Sequence, residues 1–408
     1  FKTNLNLMIN KILKQLSPRI TIMLTNQISI LLTLPWLINQ LTPMTFGLLA
    51  TALIILQAGW IVIDWAQMNF VTEIWHRYPR QTQKNKLISQ LILSRLILAG
   101  GYLFLIGGFI AVNIINLPWT FFAVICPGIV AGGLLPLWFF HAIKRPNELV
   151  AITLTARIFF VISVFLFVRG DPDATNYLAF QSLSLVVITL FAFNKMITGY
   201  RYRWQTSKFK GILKQIRIGS PFMLNTFTNN YIHIFWGLAL TMMAGPVVIG
   251  MYSLAEQAYR AGSAITTALA QVIRVNSINQ TLSQTRSIVL TFIFWSLIIT
   301  LGGQWVISEY LSNFLPNSYE GAVTIFRIML TIWLVQTWIK LINYPILGKI
   351  RGLDKLHQLD SWILLIHFTF IFAWALMTRT LDSFTEYFLL ASISQFIFLI
   401  TPIIIKRY

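Results

Sequence analysis

Charge is what this sequence has least of. Asp, Glu, Lys and Arg make up 11 % of its 408 residues, where a soluble globular domain carries about a quarter. Acidic residues are scarcer still, at 12 against 31 basic ones. So few charges cannot cover a water-soluble fold of this length, and that class is excluded. Cysteine is almost absent. The single Cys126 rules out an internal disulfide and, lying in an apolar stretch, says nothing about redox compartment. Five histidines are scattered without metal-ligand spacing, and no P-loop or nucleophile motif appears. The expectation is no metal, no catalytic residues and no organic cofactor. The lack of a nucleotide-binding domain in this sequence speaks against an ATP-driven pump.

What the sequence has instead is apolar length. Hydrophobic residues make up 56 % of it, and the mean hydropathy is +0.70. Stretches of about 18 or more mostly apolar residues recur, each a candidate spanning helix. The expected fold is all-α, a polytopic membrane protein with about twelve spans at roughly 20–40, 46–68, 91–113, 119–140, 150–168, 177–197, 221–243, 248–273, 288–308, 322–345, 361–379 and 384–404. Residues 1–19 carry Lys2, Lys11, Lys14 and Arg19 with Leu5, Ile9, Ile12 and Leu16 at helical spacing, the pattern of a basic amphipathic helix on the membrane surface. The first residue is Phe1 rather than Met, which points to a start that is missing or processed.

The basic residues orient the spans. Segments on the side of the N-terminus (1–19, 70–90, 141–149, 198–219, 274–287, 348–360 and 405–408) hold 23 of the 31 Lys and Arg. The positive-inside rule then places both termini in the cytoplasm. The isoelectric point near 10.2 follows from these loops facing anionic lipid headgroups, so nucleic acid is not an expected partner.

The chain repeats itself. A shift of 203 residues carries Ser17, Pro18, Thr25 and Asn26 onto Ser220, Pro221, Thr228 and Asn229, and Gly47 and Ala52 onto Gly250 and Ala255. Both copies start on the cytoplasmic side. That is a parallel pseudo-two-fold repeat of two six-helix bundles, a transporter design that places the substrate between the halves. The expected organisation is 1–197 for the first bundle with its leading amphipathic segment, 198–219 for a basic cytoplasmic linker, and 220–408 for the second bundle.

Charges in such helices are costly, about 2.5–3.5 kcal/mol each at the centre on insertion scales, so each should have a partner or face a wet interior. Arg95, Lys195 and Lys340 lie near cytoplasmic helix ends, and Arg327 near an outer one. They read as anchors that snorkel. Asp64, Arg157, Glu256 and Arg260 lie deeper. Glu256 and Arg260 are spaced i, i+4 with Glu first, the favourable order for a helical ion pair. That spacing serves a self-neutralised structural pair as well as a substrate role. Asp64 and Arg157 are candidates to pair between the second and fifth spans. The seventh span places Asn225, Asn229 and His233 on one face, flanked by Thr226 and Asn230, and the first offers Asn26. Such groups either bond helix to helix or line a hydrated cavity. Pro35, Pro136 and Pro345 are candidate bends.

Three stretches carry a resemblance. They are NQLTPMTFGLLATALIILQAGWIVIDWAQMNFVTEIWHR at 39–77, LLPLWFFHAIKRPNEL at 134–149 and GPVVIGMYSLAEQAYRAGSAITTALAQVIRVN at 245–276. In order and spacing the chain resembles O-antigen and polysaccharide flippases of the Wzx type, within the multidrug/oligosaccharidyl-lipid/polysaccharide exporter superfamily. It departs at Ala66, where such proteins often have Gly, at 141–144, where they often have Gly-Glu, and at Val275, where a Pro is common. The resemblance implies flipping of undecaprenyl-diphosphate-linked oligosaccharide repeat units from the cytoplasmic to the periplasmic leaflet of a bacterial inner membrane, by alternating access. The residues agree with that expectation: a headgroup of two phosphates and sugars needs cations and amides along a wet path, and the candidates are Arg157 and Arg260 for the diphosphate, Glu256 to orient it, and Asn26, Asn229 and Asn230 for the sugars, with His233 on the face of Asn229. Asp64 or Glu256 would titrate if a proton or sodium ion couples to transport. Expected partners are the lipid-linked oligosaccharide, membrane lipids, and a polysaccharide polymerase with its chain-length machinery.

Two rivals stand beside it. A drug exporter of the same superfamily would share the architecture, but cationic drugs favour carboxylate-lined cavities, and the deep residues here include cations. A membrane enzyme of polyprenyl-linked sugar metabolism would need reactive groups on external loops. Asp171-Pro-Asp173 is the external acidic pair, and it reads as a solvated turn.

Overall fold

A computed structural model describes residues 18–67, 71, 74–143, 145–230, 236–243, 245–277, 282–307, 315–319, 321–342 and 346. The architecture is all-α, with no strand among the described residues. In chain order the helices are α1 (Pro18–Gln40), α2 (Pro43–Asp64), α3 (Gln81–Ala111), α4 (Trp119–Leu134), α5 (Leu137–Ala142), α6 (Val150–Phe167), α7 (Ala174–Thr198), α8 (Phe209–Asn230), α9 (Trp236–Met243), α10 (Pro246–Ser277), α11 (Leu282–Val306) and α12 (Ala322–Ile342).

Seven stretches among the described residues are long and apolar enough to cross a membrane: Pro43–Asp64, Gln81–Ala111, Trp119–Ala142, Asn147–Phe167, Asp171–Thr198, Ser283–Val306 and Ala322–Ile342. They cover the second to sixth, ninth and tenth expected spans. The first, seventh and eighth expected spans are helical in α1, in α8 with α9, and in α10. The expected spans 361–379 and 384–404, and all but the end of the amphipathic segment 1–19, lie outside the described residues. Large apolar side chains such as Phe104, Phe159, Ile162, Phe294 and Trp305 are exposed. An outward apolar face of that kind suits hydrocarbon rather than water.

The described residues form two compact units. One is Leu32–Gly250; the other takes those before Leu32 and those from Met251 on. In the first, α4 packs between α2 and α7 because its small residues let neighbours close in. A Cβ on Gly128 would lie 2.7 Å from the Ser182 hydroxyl, and one on Gly132 would lie 2.2 Å from the Trp60 indole nitrogen. Those glycines are one turn apart, the small-xxx-small spacing of close membrane helices. The Trp60 indole donates to the Gly128 carbonyl at 3.1 Å, Thr189 donates to Ala131 at 2.9 Å, and Tyr102 donates to Ile55 at 2.6 Å. In the second unit, Trp338 of α12 donates to Ser296 of α11 at 2.9 Å, and Gly262 of α10 admits the Trp333 ring of α12.

The start of α2 shows what the Asp171-Pro-Asp173 turn does. Pro43 opens the helix after the cap Thr42, whose hydroxyl accepts from the Thr45 N–H. Asp171 receives both the Thr42 N–H and the Thr42 hydroxyl at 2.8 Å. Asp173 receives the Arg169 N–H and the Asn176 amide. The Asp-Pro-Asp turn is therefore a clasp between the α1–α2 and α6–α7 connections rather than a free solvated pair.

Pro43 and Pro246 are also related by the shift of 203 residues, each opening its helix. Their neighbours Gly47 and Gly250, matched by the same shift, meet face to face. A Cβ on Gly47 would lie 1.7 Å from the Pro246 carbonyl oxygen, and one on Gly250 would lie 3.1 Å from that of Pro43. Equivalent residues meeting each other is what a two-fold relation between the two segments requires. Gly47→Ala should therefore cost about 1–3 kcal/mol by overpacking, seen as a lowered thermal midpoint in detergent. Gly100→Ala, whose Cβ meets nothing within 4 Å, should leave the midpoint unchanged or slightly raised.

Candidate functional site

One of the two deepest charges among the described residues is one that position along the helix underrated. Arg95, expected to snorkel outward from α3, is 1 % exposed. Its Nε donates to the Gln67 side-chain carbonyl at 2.8 Å, and Nη1 donates to the carbonyls of Gly133 and Leu135 at 2.9 and 3.0 Å. Nη2 is paired with Asp64, and the guanidinium lies 5.7 Å from the Trp138 ring centre. Gln67 is held in turn, donating to Ser94 at 2.8 Å.

Those partners share an origin. Asp64 is the last residue of α2, and Gly133 and Leu135 lie where α4 stops before Pro136. The bend expected at Pro136 is a full break between α4 and α5. The second expected span, 46–68, also breaks early, because Trp65 and Ala66 take left-handed backbone conformations at φ 46° and 54°. Helix ends expose carbonyls, which apolar surroundings cannot satisfy. They also carry partial negative charge, and a cation placed there is favoured. One buried guanidinium serves both ends and neutralises Asp64.

Arg157 does not meet Asp64. It projects from α6 onto α7, where Nη1 donates to Gln181 at 2.7 Å and to Ser184 at 3.4 Å, with the Phe160 ring centre 5.9 Å away. Gln181 and Ser184 are both neutral and buried.

The pair Glu256–Arg260 forms as the spacing indicates, at 3.0 Å and almost fully buried. It belongs to a longer pattern. Glu256, Arg260, Ser263 and Thr267 recur at i, i+4, i+7 and i+11, which makes one polar stripe along α10. Lys340 of α12, read from sequence as an outward anchor, turns inward instead. Its ammonium donates to Ser263 at 2.5 Å and to Thr267 at 3.1 Å. Thr266 and Thr337 bridge the same two helices at 3.2 Å. Both Glu256 carboxylate oxygens and the Trp333 indole N–H are buried and make no hydrogen bond. Groups of that kind in a native fold call for a ligand, an ion or water.

Asn26 is half-buried in α1, its carbonyl accepting from Ser29 at 2.8 Å. Asn229 and Asn230 end α8, where the backbone alone is described, and His233 lies outside the described residues. Asp64 and Arg157 belong to the unit Leu32–Gly250, and Glu256 and Arg260 to the other. No group of His, Cys, Asp and Glu suited to a metal occurs among the described residues. At the ends of two of the apolar stretches, Glu148 gathers Tyr200 at 2.5 Å, Arg145 at 3.6 Å and Lys195 at 3.8 Å. Burial and the hydrogen bond to Glu148 hold the Tyr200 phenol above its usual range.

Two substitutions test this reading. Arg95→Ala strands a carboxylate and two carbonyls and should cost about 3–5 kcal/mol. Asp64→Asn, at a side chain 31 % exposed, should cost clearly less; thermal unfolding in detergent ranks them. At position 66, glycine should be tolerated within about 1 kcal/mol. Ala66→Val should cost more than about 2 kcal/mol, since a β-branched residue resists a left-handed backbone.

Three comparisons bear on these groups. A family described as "Polysaccharide biosynthesis protein" matches residues 12–273. No curated protein matches the chain. A solved structure titled "Inward-facing conformation of a multidrug resistance MATE family transporter of the MOP superfamily" is similar with a TM-score of 0.63 over 92 % of this chain and 93 % of that one. At 14 % identity the likeness is one of fold.

Proposed function

The chain belongs to the polysaccharide biosynthesis protein family, and from that premise we propose that it flips polyprenyl-diphosphate-linked oligosaccharides across a bacterial inner membrane. The carrying observation is the stripe on α10, a carboxylate, a cation and hydroxyls along one helix face, met from α12 by the Lys340 ammonium. A diphosphate headgroup cannot enter hydrocarbon without charge compensation. Arg260 would meet it at one level and Lys340 about two turns along the stripe. Ser263 and Thr267 lie between and beside them, able to accept from an ammonium or donate to a phosphate oxygen. Glu256 keeps Arg260 neutralised and oriented when no anion is present. Its oxygens, free of hydrogen bonds, also make it the group a coupling proton or sodium ion would meet.

The first unit would add Arg157, a buried cation that donates to Gln181 and Ser184. Amides from Asn26, Asn229 and Asn230, with His233, would receive the sugars, and the polyprenyl tail would stay in lipid. Alternating exposure would come from rocking of two halves. Both termini would face the cytoplasm, and a polysaccharide polymerase and chain-length machinery in the same membrane would take the flipped product on the periplasmic side. The acidic external turn, the feature that favoured a membrane enzyme, has its carboxylates engaged with Thr42, Arg169 and Asn176.

In a bacterium lacking its own flippase of this kind and supplied with the cognate sugar pathway, the intact chain should restore surface polysaccharide. Arg260→Ala and Lys340→Met should each reduce it at least about tenfold at equal membrane abundance, a loss of about 1.4 kcal/mol or more. Full export in both variants would remove the stripe from the mechanism.

A further inference from the structure

Residues 201–217, RYRWQTSKFKGILKQIR, carry six basic residues: Arg201, Arg203, Lys208, Lys210, Lys214 and Arg217. All six are exposed. No acidic residue occurs in the sequence between Asp173 and Glu256, so nothing nearby along the chain offsets them. The segment is not a loose tether. Arg201, at φ 53°, turns the chain out of α7, and the Tyr202 hydroxyl shares a hydrogen bond with Ser89 at 2.8 Å. The Gln205 N–H donates to Ser89 at 3.0 Å, Gln215 donates to Gln90 at 2.9 Å, and the Trp65 indole donates to the Ile216 carbonyl at 2.9 Å. Tyr202, Ile212 and Gln215 are buried on this inner side.

The outer side is what the positive-inside rule does not explain. Trp204, Phe209 and Leu213 are 53 %, 62 % and 46 % exposed. In the first turns of α8, Phe209 and Leu213 form an apolar stripe at i, i+4. Lys210, Lys214 and Arg217 form a basic one beside it at i, i+4, i+7. An apolar stripe flanked by cations is the surface of a helix lying in a lipid interface, with rings at the acyl boundary and cations among headgroups. Charge balance by topology needs the cations alone; it does not need large apolar side chains held outward beside them by a fixed inner face.

We propose that residues 201–217 form an ordered docking surface for anionic glycerophospholipid headgroups of the adjacent leaflet, clamped to α3 through Ser89 and Gln90. The occupant is anionic because six exposed cations stand without an acidic neighbour in sequence. It is lipid because the apolar stripe lies beside them on a chain whose neighbouring helices span a bilayer.

The test is native mass spectrometry of the full chain in detergent, with phosphatidylglycerol or phosphatidylcholine added at equal concentration. The intact protein should retain phosphatidylglycerol preferentially, with the preference falling as salt rises. Each cation near an anionic surface contributes about a five-fold factor. Lys210→Gln, Lys214→Gln and Arg217→Gln together should therefore lower phosphatidylglycerol retention by at least about tenfold. Trp204→Ser with Phe209→Ser should also lower it, at unchanged charge. Arg77→Gln with Arg169→Gln, exposed cations elsewhere, should leave the preference intact. The proposal is overturned by equal retention of both lipids, by a preference that survives the triple substitution or the Trp204 and Phe209 changes, or by an equal loss in the Arg77 and Arg169 control.

Discussion

A broken helix inside a bilayer needs something to satisfy its ends, and in this protein that something is the Arg95 guanidinium. It meets Asp64 at the end of α2 and the carbonyls of Gly133 and Leu135 at the end of α4, and it is oriented by Gln67. Remove the cation and both ends present unmet negative charge to an apolar interior. The left-handed pair Trp65 and Ala66, the break before Pro136, and the packing of α4 on α2 all depend on that compensation. This also explains why the position of Ala66 is one where resembling proteins often have Gly. The backbone there is left-handed, and glycine adopts it without the clash of a Cβ.

Much of the fold was legible because lipid imposes a simple rule on sequence: an apolar run of sufficient length becomes a helix. Among the described residues, the seven stretches long and apolar enough to cross are helical where hydropathy places them, and the Glu256–Arg260 pair forms because i, i+4 geometry is local. Gly47 and Gly250, matched by the repeat, prove to be the site where the two segments touch. The illegible part was long-range. Arg95 and Lys340 both sit near expected helix ends, so position alone read them as snorkelling anchors. Their inward course is set by residues about 30 to 80 positions away, Asp64 and Gly133 for one, Ser263 and Thr267 for the other. No periodicity signals such a partner. Asp64, for which Arg157 was one candidate, pairs with Arg95 instead; sequence shows that a buried acid needs a cation but not which one.

The two kinds of buried charge differ in their surroundings. Arg95 is saturated by fixed partners and holds broken helices together. The stripe of Glu256, Arg260, Ser263 and Thr267 pairs within itself and with Lys340, and Glu256 and Trp333 keep buried groups without hydrogen bonds. Buried polar groups of that kind beside cations and hydroxyls suit a place where a ligand, an ion or water binds. In a polysaccharide biosynthesis protein with this fold, the proposed substrate, an anionic lipid-linked sugar, has the chemistry to answer both cations and hydroxyls.

The most direct test is translocation by purified protein. The chain would be reconstituted in proteoliposomes with a labelled polyprenyl-diphosphate oligosaccharide, and leaflet exposure followed with a membrane-impermeant sugar-binding reagent. The account predicts protein-dependent movement that Arg260→Ala abolishes while the variant remains folded and inserted. Movement that is undiminished in Arg260→Ala, or absent with the intact protein and its cognate sugar, would contradict it.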